Sequence, residues 1–120
     1  MKKLNGWVTD LNGNRGFHVN GELHRTDGPA FEFADGTKHW YQHGKLHRTD
    51  GPAAEYPDGC KCWYVNGKLH RTDGPSIEFP NGTKFWHYMG EFHRTDGPAV
   101  ERADGSGDWY INGKQVPSRK

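Results

Sequence analysis

"HRTDGP" stands at residues 24–29 and returns at 47–52, 70–75 and 93–98, each copy 23 positions after the last. Cutting the chain at each histidine gives four units, namely 24–46, 47–69, 70–92 and 93–115. Residues 1–23 are interpreted as a degenerate capping copy, because "NGNRGFHVNGEL" follows the pattern of "DGTKHWYQHGKL". Residues 116–120 form a tail. A fixed period of this kind indicates an array of small units that pack on their neighbours.

Each unit carries a β-hairpin signature. In unit one "AFEF" and "TKHWYQ" flank Asp35–Gly36, a dipeptide that favours a two-residue type I′ turn. Pairing outward from that turn sets Phe31 opposite Trp40. The same register gives the pairs Ala54–Trp63, Ile77–Trp86 and Val100–Trp109. No segment has a 3.6-residue apolar period, so we expect an all-β fold, an elongated single-layer antiparallel sheet of 23-residue β-hairpin repeats.

The number of strands per unit follows from orientation. Two strands joined by the connector "NGKLHRTDGP" keep every unit in the same orientation, whereas three strands would reverse every second unit, so we favour two. In the expected register Trp63 and Trp86 bury a large area against their neighbours. Those neighbours are Ala54, Ile77, Tyr56 and Phe79.

Composition limits the classes of partner. A net charge of +1 gives no bulk attraction for nucleic acid or an anionic membrane. Mean hydropathy is −1.06 while 13% of residues are aromatic, which favours a thin fold held by aromatic rings. The N-terminal residues lack a signal-peptide pattern and no segment is long enough to span a membrane. Cys60 and Cys62 are expected to be reduced thiols, which indicates a cytoplasmic protein.

The repeated corner "HRTDGP" is interpreted as structural. Equivalent histidines (His24, His47, His70 and His93) would lie ~10 Å apart, too far to share a metal ion. Four copies on a flat sheet offer no single enclosed active site, so we expect no enzyme, metal or cofactor. The corner aspartates are expected to close turns on their own backbone and the corner glycines to need a positive φ. The arginines are expected to pair with Glu32, Glu55, Glu78 and Glu101.

"WYVNGKLHRTDGPAAEYPDG" resembles the MORN repeat, whose units have a similar length. The similarity lies in Tyr64, Asn66, Gly67, Lys68 and Gly74, and it extends over nearly the whole chain. The His-Arg-Thr-Asp-Gly-Pro corner departs from the usual MORN pattern and is similar to repeats of bacteriophage and large-virus proteins. The resemblance implies a twisted single-layer sheet that binds proteins, with membrane binding a weaker possibility.

Positions that vary while the scaffold repeats are candidates for recognition. One column reads His39, Cys62, Phe85 and Asp108, and the column two residues on reads Tyr41, Tyr64, His87 and Tyr110. Period 2 places both on the face opposite the tryptophans, with Met89 on the same face if the strand continues. The predicted contact residues are His39, Tyr41, Tyr64, Phe85, His87 and Met89. Drift at unconstrained positions is the alternative.

Phe85 is the predicted anchor of that surface. We expect Phe85→Asp to leave folding nearly intact, unless Phe85 packs on a neighbouring unit and completes a second core. The leading functional hypothesis is a non-enzymatic module that binds a host or viral protein, such as a phage-encoded inhibitor of a defence component. It would then act in the host cytoplasm. The alternative is nucleotide or anion binding by the corners through Arg25, Arg48, Arg71 and Arg94.

Overall fold

The computed structural model describes residues 2–118, which form strands and turns and no helix. The strands are β1 (Gly6–Thr9), β2 (Arg15–Val19), β3 (Glu22–Leu23), β4 (Phe31–Glu32), β5 (Lys38–His39), β6 (Tyr41–Gln42), β7 (Lys45–Leu46), β8 (Ala54–Glu55), β9 (Lys61–Cys62), β10 (Tyr64–Val65), β11 (Lys68–Leu69), β12 (Ile77–Glu78), β13 (Lys84–Phe85), β14 (His87–Tyr88), β15 (Glu91–Phe92), β16 (Val100–Glu101), β17 (Gly107–Ile111) and β18 (Lys114–Val116). The tail begins with Val116 in β18, and its last two residues lie outside the described part of the chain.

The strands form one long antiparallel sheet in the order β1-β2-β4-β5-β8-β9-β12-β13-β16-β17-β18, with β3 paired to β2. The pairs β6–β7, β10–β11 and β14–β15 stand beside it as separate two-stranded ladders. Each interior unit therefore gives two strands to the long sheet, as expected, and forms a second hairpin beside it. The turn and the second strand of that hairpin lie in the segment that was interpreted as a connector, so that part of the interpretation is wrong. An even number of strands still keeps all units in one orientation.

A type I′ turn connects the two strands of the second hairpin. At Asn66–Gly67 both central residues have positive φ, 50° and 82°. Equivalent turns lie at residues 20–21, 43–44, 89–90 and 112–113. The type I′ turn was expected at Asp35–Gly36, where only the glycine has positive φ (97°) and the amide of Phe33 bonds to the carbonyl of Thr37 at 2.9 Å. That geometry is a three-residue loop with a glycine bulge.

The extra loop residue shifts the register by one position. Phe31 lies opposite His39 rather than Trp40. The other observed pairs are Ala54–Cys62, Ile77–Phe85 and Val100–Asp108. A one-residue shift moves a side chain to the other face, so the expected burial of Trp63 and Trp86 against Ala54 and Ile77 is wrong. The two tryptophans are half-buried.

The core is a column of small residues where units meet. Ala30, Ala53, Ser76 and Ala99 are fully buried. Their carbonyls accept hydrogen bonds of 2.6–2.7 Å from the amides of Phe17, Trp40, Trp63 and Trp86 in the preceding unit. Each unit thus covers the next, and the molecule is elongated, 58 × 26 × 20 Å. Among residues 2–118 no helix is long and apolar enough to cross a membrane.

Candidate functional site

The corner holds its arginine on a tryptophan of the preceding unit. The Cζ of Arg71 lies 3.9 Å from the centre of the Trp63 ring. Nε of Arg71 donates to Asp73 at 2.8 Å, and Nη1 donates to the carbonyl of Pro75 and to Glu78, both at 3.0 Å. We call this arrangement the clamp, formed by Trp63, Arg71, Asp73, Pro75 and Glu78. Stacking, an ion pair and a charged hydrogen bond act together in it.

Units two and four build the same clamp. The guanidinium carbons of Arg48 and Arg94 lie 3.8 Å from the centres of Trp40 and Trp86. The expected arginine–glutamate pairs therefore form in three units, at 3.7 Å for Arg48–Glu55, 3.0 Å for Arg71–Glu78 and 2.8 Å for Arg94–Glu101. In unit one Glu32 pairs with Arg15 at 2.7 Å instead.

The corner glycine leaves room for the guanidinium. Gly74 is not among the residues with positive φ, so the expected positive φ at the corner is wrong. A Cβ at Gly74 would lie 3.0 Å from Cζ of Arg71, and one at Gly97 would lie 2.6 Å from Cζ of Arg94. Asp73 was expected to close the turn on its own backbone, but its carboxylate binds the arginine. The hydrogen bond from Arg71 lowers the pKa of Asp73 below its usual value.

The repeated histidines fix the neighbouring turns, in agreement with the structural role predicted for them. Nδ1 of His70 accepts the backbone N–H of Met89 at 3.0 Å. The same 3.0 Å bond joins His24 to His43, His47 to Asn66 and His93 to Asn112. An acceptor Nδ1 leaves the ring proton of a neutral histidine on Nε2. Each bond holds a residue with φ near 50° at the start of the type I′ turn.

No group of three or more histidine, cysteine or acidic side chains in residues 2–118 could hold a metal ion. Cys60 and Cys62 are free thiols. Burial raises the pKa of the Cys62 thiol to about 12. A thiol with that pKa stays protonated at neutral pH, and only the thiolate is a good metal ligand.

The geometry of the clamp opposes the alternative function, in which the corner arginines bind a nucleotide or another anion. A cleft of about 480 Å³ lies between the corners of units two and three, lined by Arg48, Asp50, Arg71 and Asp73 among others. Both arginines are already paired with carboxylates, and their side chains are only 20% exposed while those of the two aspartates are 79% and 83% exposed. A negatively charged ligand would therefore be repelled by the two exposed aspartates before it reached either arginine. Anion binding through Arg25, Arg48, Arg71 and Arg94 stays a prediction that these contacts oppose.

The face opposite the clamp is aromatic. In unit three Phe85 packs in T-shaped contacts on Phe79 and Phe92, with ring centres 5.0 and 5.5 Å apart. Phe92 also stacks on His87 at 4.4 Å. Phe85 is half-buried. Phe79, His87 and Phe92 belong to the same unit as Phe85, so these rings form a cluster within unit three and not the packing on a neighbouring unit that was the alternative. Phe85 is therefore not a free anchor.

His87 and Ser76 form a buried polar pair that other units lack. Oγ of Ser76 lies 2.7 Å from Nδ1 of His87 and 3.1 Å from the carbonyl of Phe85. Unit two has Ala53 and Tyr64 at the same positions. Burial lowers the pKa of His87 below its usual value.

The remaining predicted contact residues are less accessible than expected. His39 has Phe33, Tyr41 and Tyr56 within 5.0–6.1 Å of its ring centre, and both of its ring nitrogens are buried without a partner. Burial lowers the pKa of His39. Tyr41 and Tyr64 are half-buried, and burial raises the pKa of each phenol.

The most exposed aromatic and thioether side chains of unit three lie at its second turn. Tyr88 is 51% exposed and Met89 is 44% exposed. Met89 does not continue the strand, as the sequence interpretation required, but is the first turn residue with φ 49°. The sequence interpretation missed Tyr88, although its column of Gln42, Val65, Tyr88 and Ile111 is as variable as those chosen. We call Tyr88 and Met89 the unit-three tip.

No protein-family model matches this chain, and no curated protein sequence matches it. The resemblance to MORN repeats therefore stays a prediction from the residues of the repeat.

Proposed function

We propose that this protein is a non-enzymatic repeat module that binds another protein, and that its contact surface is centred on the unit-three tip. One observation carries the proposal. A tyrosine and a methionine are exposed together at a tip where the other units have Gln42–His43, Val65–Asn66 and Ile111–Asn112. Exposed aromatic residues at fixed positions are typical centres of binding energy, and methionine adapts to irregular partner surfaces.

The tip is held rigidly, which favours affinity. The amide of Met89 is bonded to His70, and the next amide, that of Gly90, donates to the carbonyl of Leu69 at 2.8 Å. The ring of Tyr88 lies 4.6 Å from His70 and 5.9 Å from His93. A side chain that is already positioned loses little conformational entropy on binding. On the other face of the same hairpin His87 stacks on Phe92, which also contacts Phe85.

The resemblance to repeats of virus proteins suggests a virus-encoded module that binds a host or viral protein. Inhibition of a defence component by a phage protein is an analogy that fits the small size of the protein. His39, Tyr41 and Tyr64 remain predicted contacts, but they lie in the columns of Phe85 and His87 and not at the tip.

The test uses two baits that differ only at the tip. Tyr88→Val combined with Met89→Asn gives unit three the tip of unit two and keeps a residue suited to positive φ. We expect the wild-type bait to capture a protein from the native cells and the double variant not to capture it. A captured protein retained equally by both baits contradicts the proposed surface. Capture of no protein by wild-type bait, at concentrations where the bait is folded, contradicts protein binding itself.

A further inference from the structure

A second concentration of exposed apolar residues lies at the N-terminal end of the sheet. Eight large hydrophobic side chains are exposed among residues 2–118, and five of them fall within residues 4–19. Val8 in β1 is 42% exposed, and the flanking Leu4 and Leu11 are 52% and 105% exposed. Exposed apolar residues gathered in this way mark an interaction site more often than scattered ones do.

The same residues lie on an open edge. β1 pairs with β2 on one side and, within the described residues, with no strand on the other. Edge strands are usually protected by charge, proline or a covering segment. β1 reads Gly-Trp-Val-Thr and contains neither charge nor proline. The equivalent strands β4, β8, β12 and β16 are each covered by a strand of the preceding unit.

Trp7 decides which kind of strand can cover this edge. It stands in the column of Ala30, Ala53, Ser76 and Ala99, which are fully buried by the preceding unit. An indole does not fit where a methyl group is already enclosed. The C-terminal end of another copy therefore cannot cover β1 in the way that one unit covers the next. This excludes a head-to-tail filament with the geometry of the repeat.

We propose that β1 pairs antiparallel with β1 of a second copy, which makes a two-fold symmetric dimer through the N-terminal ends. β1 carries no charged side chain, so two copies of this strand meet without repulsion between like charges. Successive residues of a strand point to opposite faces, so Trp7 of each copy is covered on one face of the joined sheet and Val8 on the other. A symmetric interface uses the same patch twice, and this patch is the apolar one.

The size of the end face sets the strength of the dimer. The molecule measures 26 × 20 Å across its long axis. Two such faces bury on the order of 1,000 Å², the lower limit of specific interfaces. The dimer is therefore weak and depends on concentration.

Sedimentation velocity from about 5 to about 500 µM tests this proposal. We expect the wild type to shift from monomer to dimer over that range, and Val8→Lys or Leu11→Lys to weaken association at least tenfold. Leu11 is fully exposed, so its replacement leaves the fold intact. The unit-three tip variant serves as the matched control and dimerises like the wild type, which separates this interface from the proposed partner surface. A monomer throughout the range, or dimerisation untouched by both lysine variants, overturns the proposal.

Discussion

Units two (47–69) and three (70–92) use one scaffold for different surfaces. The arginine-to-tryptophan distances of the clamps that close them, 3.9 Å for Trp63–Arg71 and 3.8 Å for Trp86–Arg94, agree within 0.1 Å. The histidine bonds to Asn66 and Met89 are both 3.0 Å. Yet Ala53, Cys62 and Tyr64 of unit two become Ser76, Phe85 and His87 in unit three.

The aromatic cluster and the tip differ between the two units, which share the backbone bonds and the clamp. The backbone bonds and the clamp act through the repeated residues and leave the other face and the turn tips free to change. Unit three uses that freedom twice, for a larger aromatic cluster and for an exposed tip. The following variants test how far the two units are interchangeable.

The largest expected effect on stability is at the aromatic cluster. Phe85→Asp removes a ring packed on Phe79 and Phe92 and places a charge among aromatic side chains. We expect a loss of about 3–5 kcal/mol in the free energy of unfolding, measured by urea denaturation. Phe85→Leu, which keeps an apolar side chain, should lose clearly less. Unfolding of the Asp variant at the wild-type urea concentration would show that the cluster contributes nothing.

The clamp is expected to come next. Arg71→Ala removes the stack on Trp63 and the bond to the carbonyl of Pro75, so we expect a loss of about 2–3 kcal/mol. Arg71→Lys keeps the charge but loses the planar fork, and should recover only part of the loss. Thermal melts of both variants beside Arg48→Ala would check whether the two clamps are equivalent. If Arg71→Lys were as stable as the wild type, the positive charge alone would account for the stabilisation by Arg71.

A smaller effect is expected from pH. Burial lowers the folded-state pKa of His39 and His87 below the unfolded value of 6.5. The unfolded chain therefore binds protons more readily, and this contribution to stability is present above pH 6.5 and is lost as pH falls through the lowered folded-state values. Denaturation measured from pH 7.5 to pH 5 should show stability falling with pH.

The matched control for the pH effect comes from unit two. Ser76→Ala combined with His87→Tyr gives unit three the residues Ala53 and Tyr64 and removes one of the two histidines. Its stability should fall less steeply over the same pH range. An identical pH dependence in both proteins would mean that His87 does not contribute.

The sequence predicted the period, the all-β class and the elongated sheet because these follow from the spacing of "HRTDGP" and the absence of a helical pattern. It placed the type I′ turn at the wrong dipeptide. Asp35–Gly36 and Asn66–Gly67 read alike as turns, but the first loop contains a third residue, and one extra residue reverses the face of every side chain beyond it.

The candidate surface was predicted in part. Period 2 correctly placed Phe85 and His87 on one face, since neighbouring positions on a strand alternate. It did not reveal that Phe85 contacts Phe92, because the strand that carries Phe92 was interpreted as part of a connector. Met89 was placed on that face only if the strand continued, whereas it is a turn residue with φ 49°. Tyr88 was overlooked.

We propose that recognition belongs to the unit-three tip and that the stability of the scaffold does not depend on the tip. The most direct measurement is the affinity of the captured partner for Tyr88→Val/Met89→Asn, beside Gln42→Val/His43→Asn as the same change at the tip of unit one. We predict wild-type melting for both proteins, a loss of about 2 kcal/mol in binding, or roughly 30-fold, for the first, and unchanged affinity for the second. Equal affinity of the two variants for the partner would contradict the account.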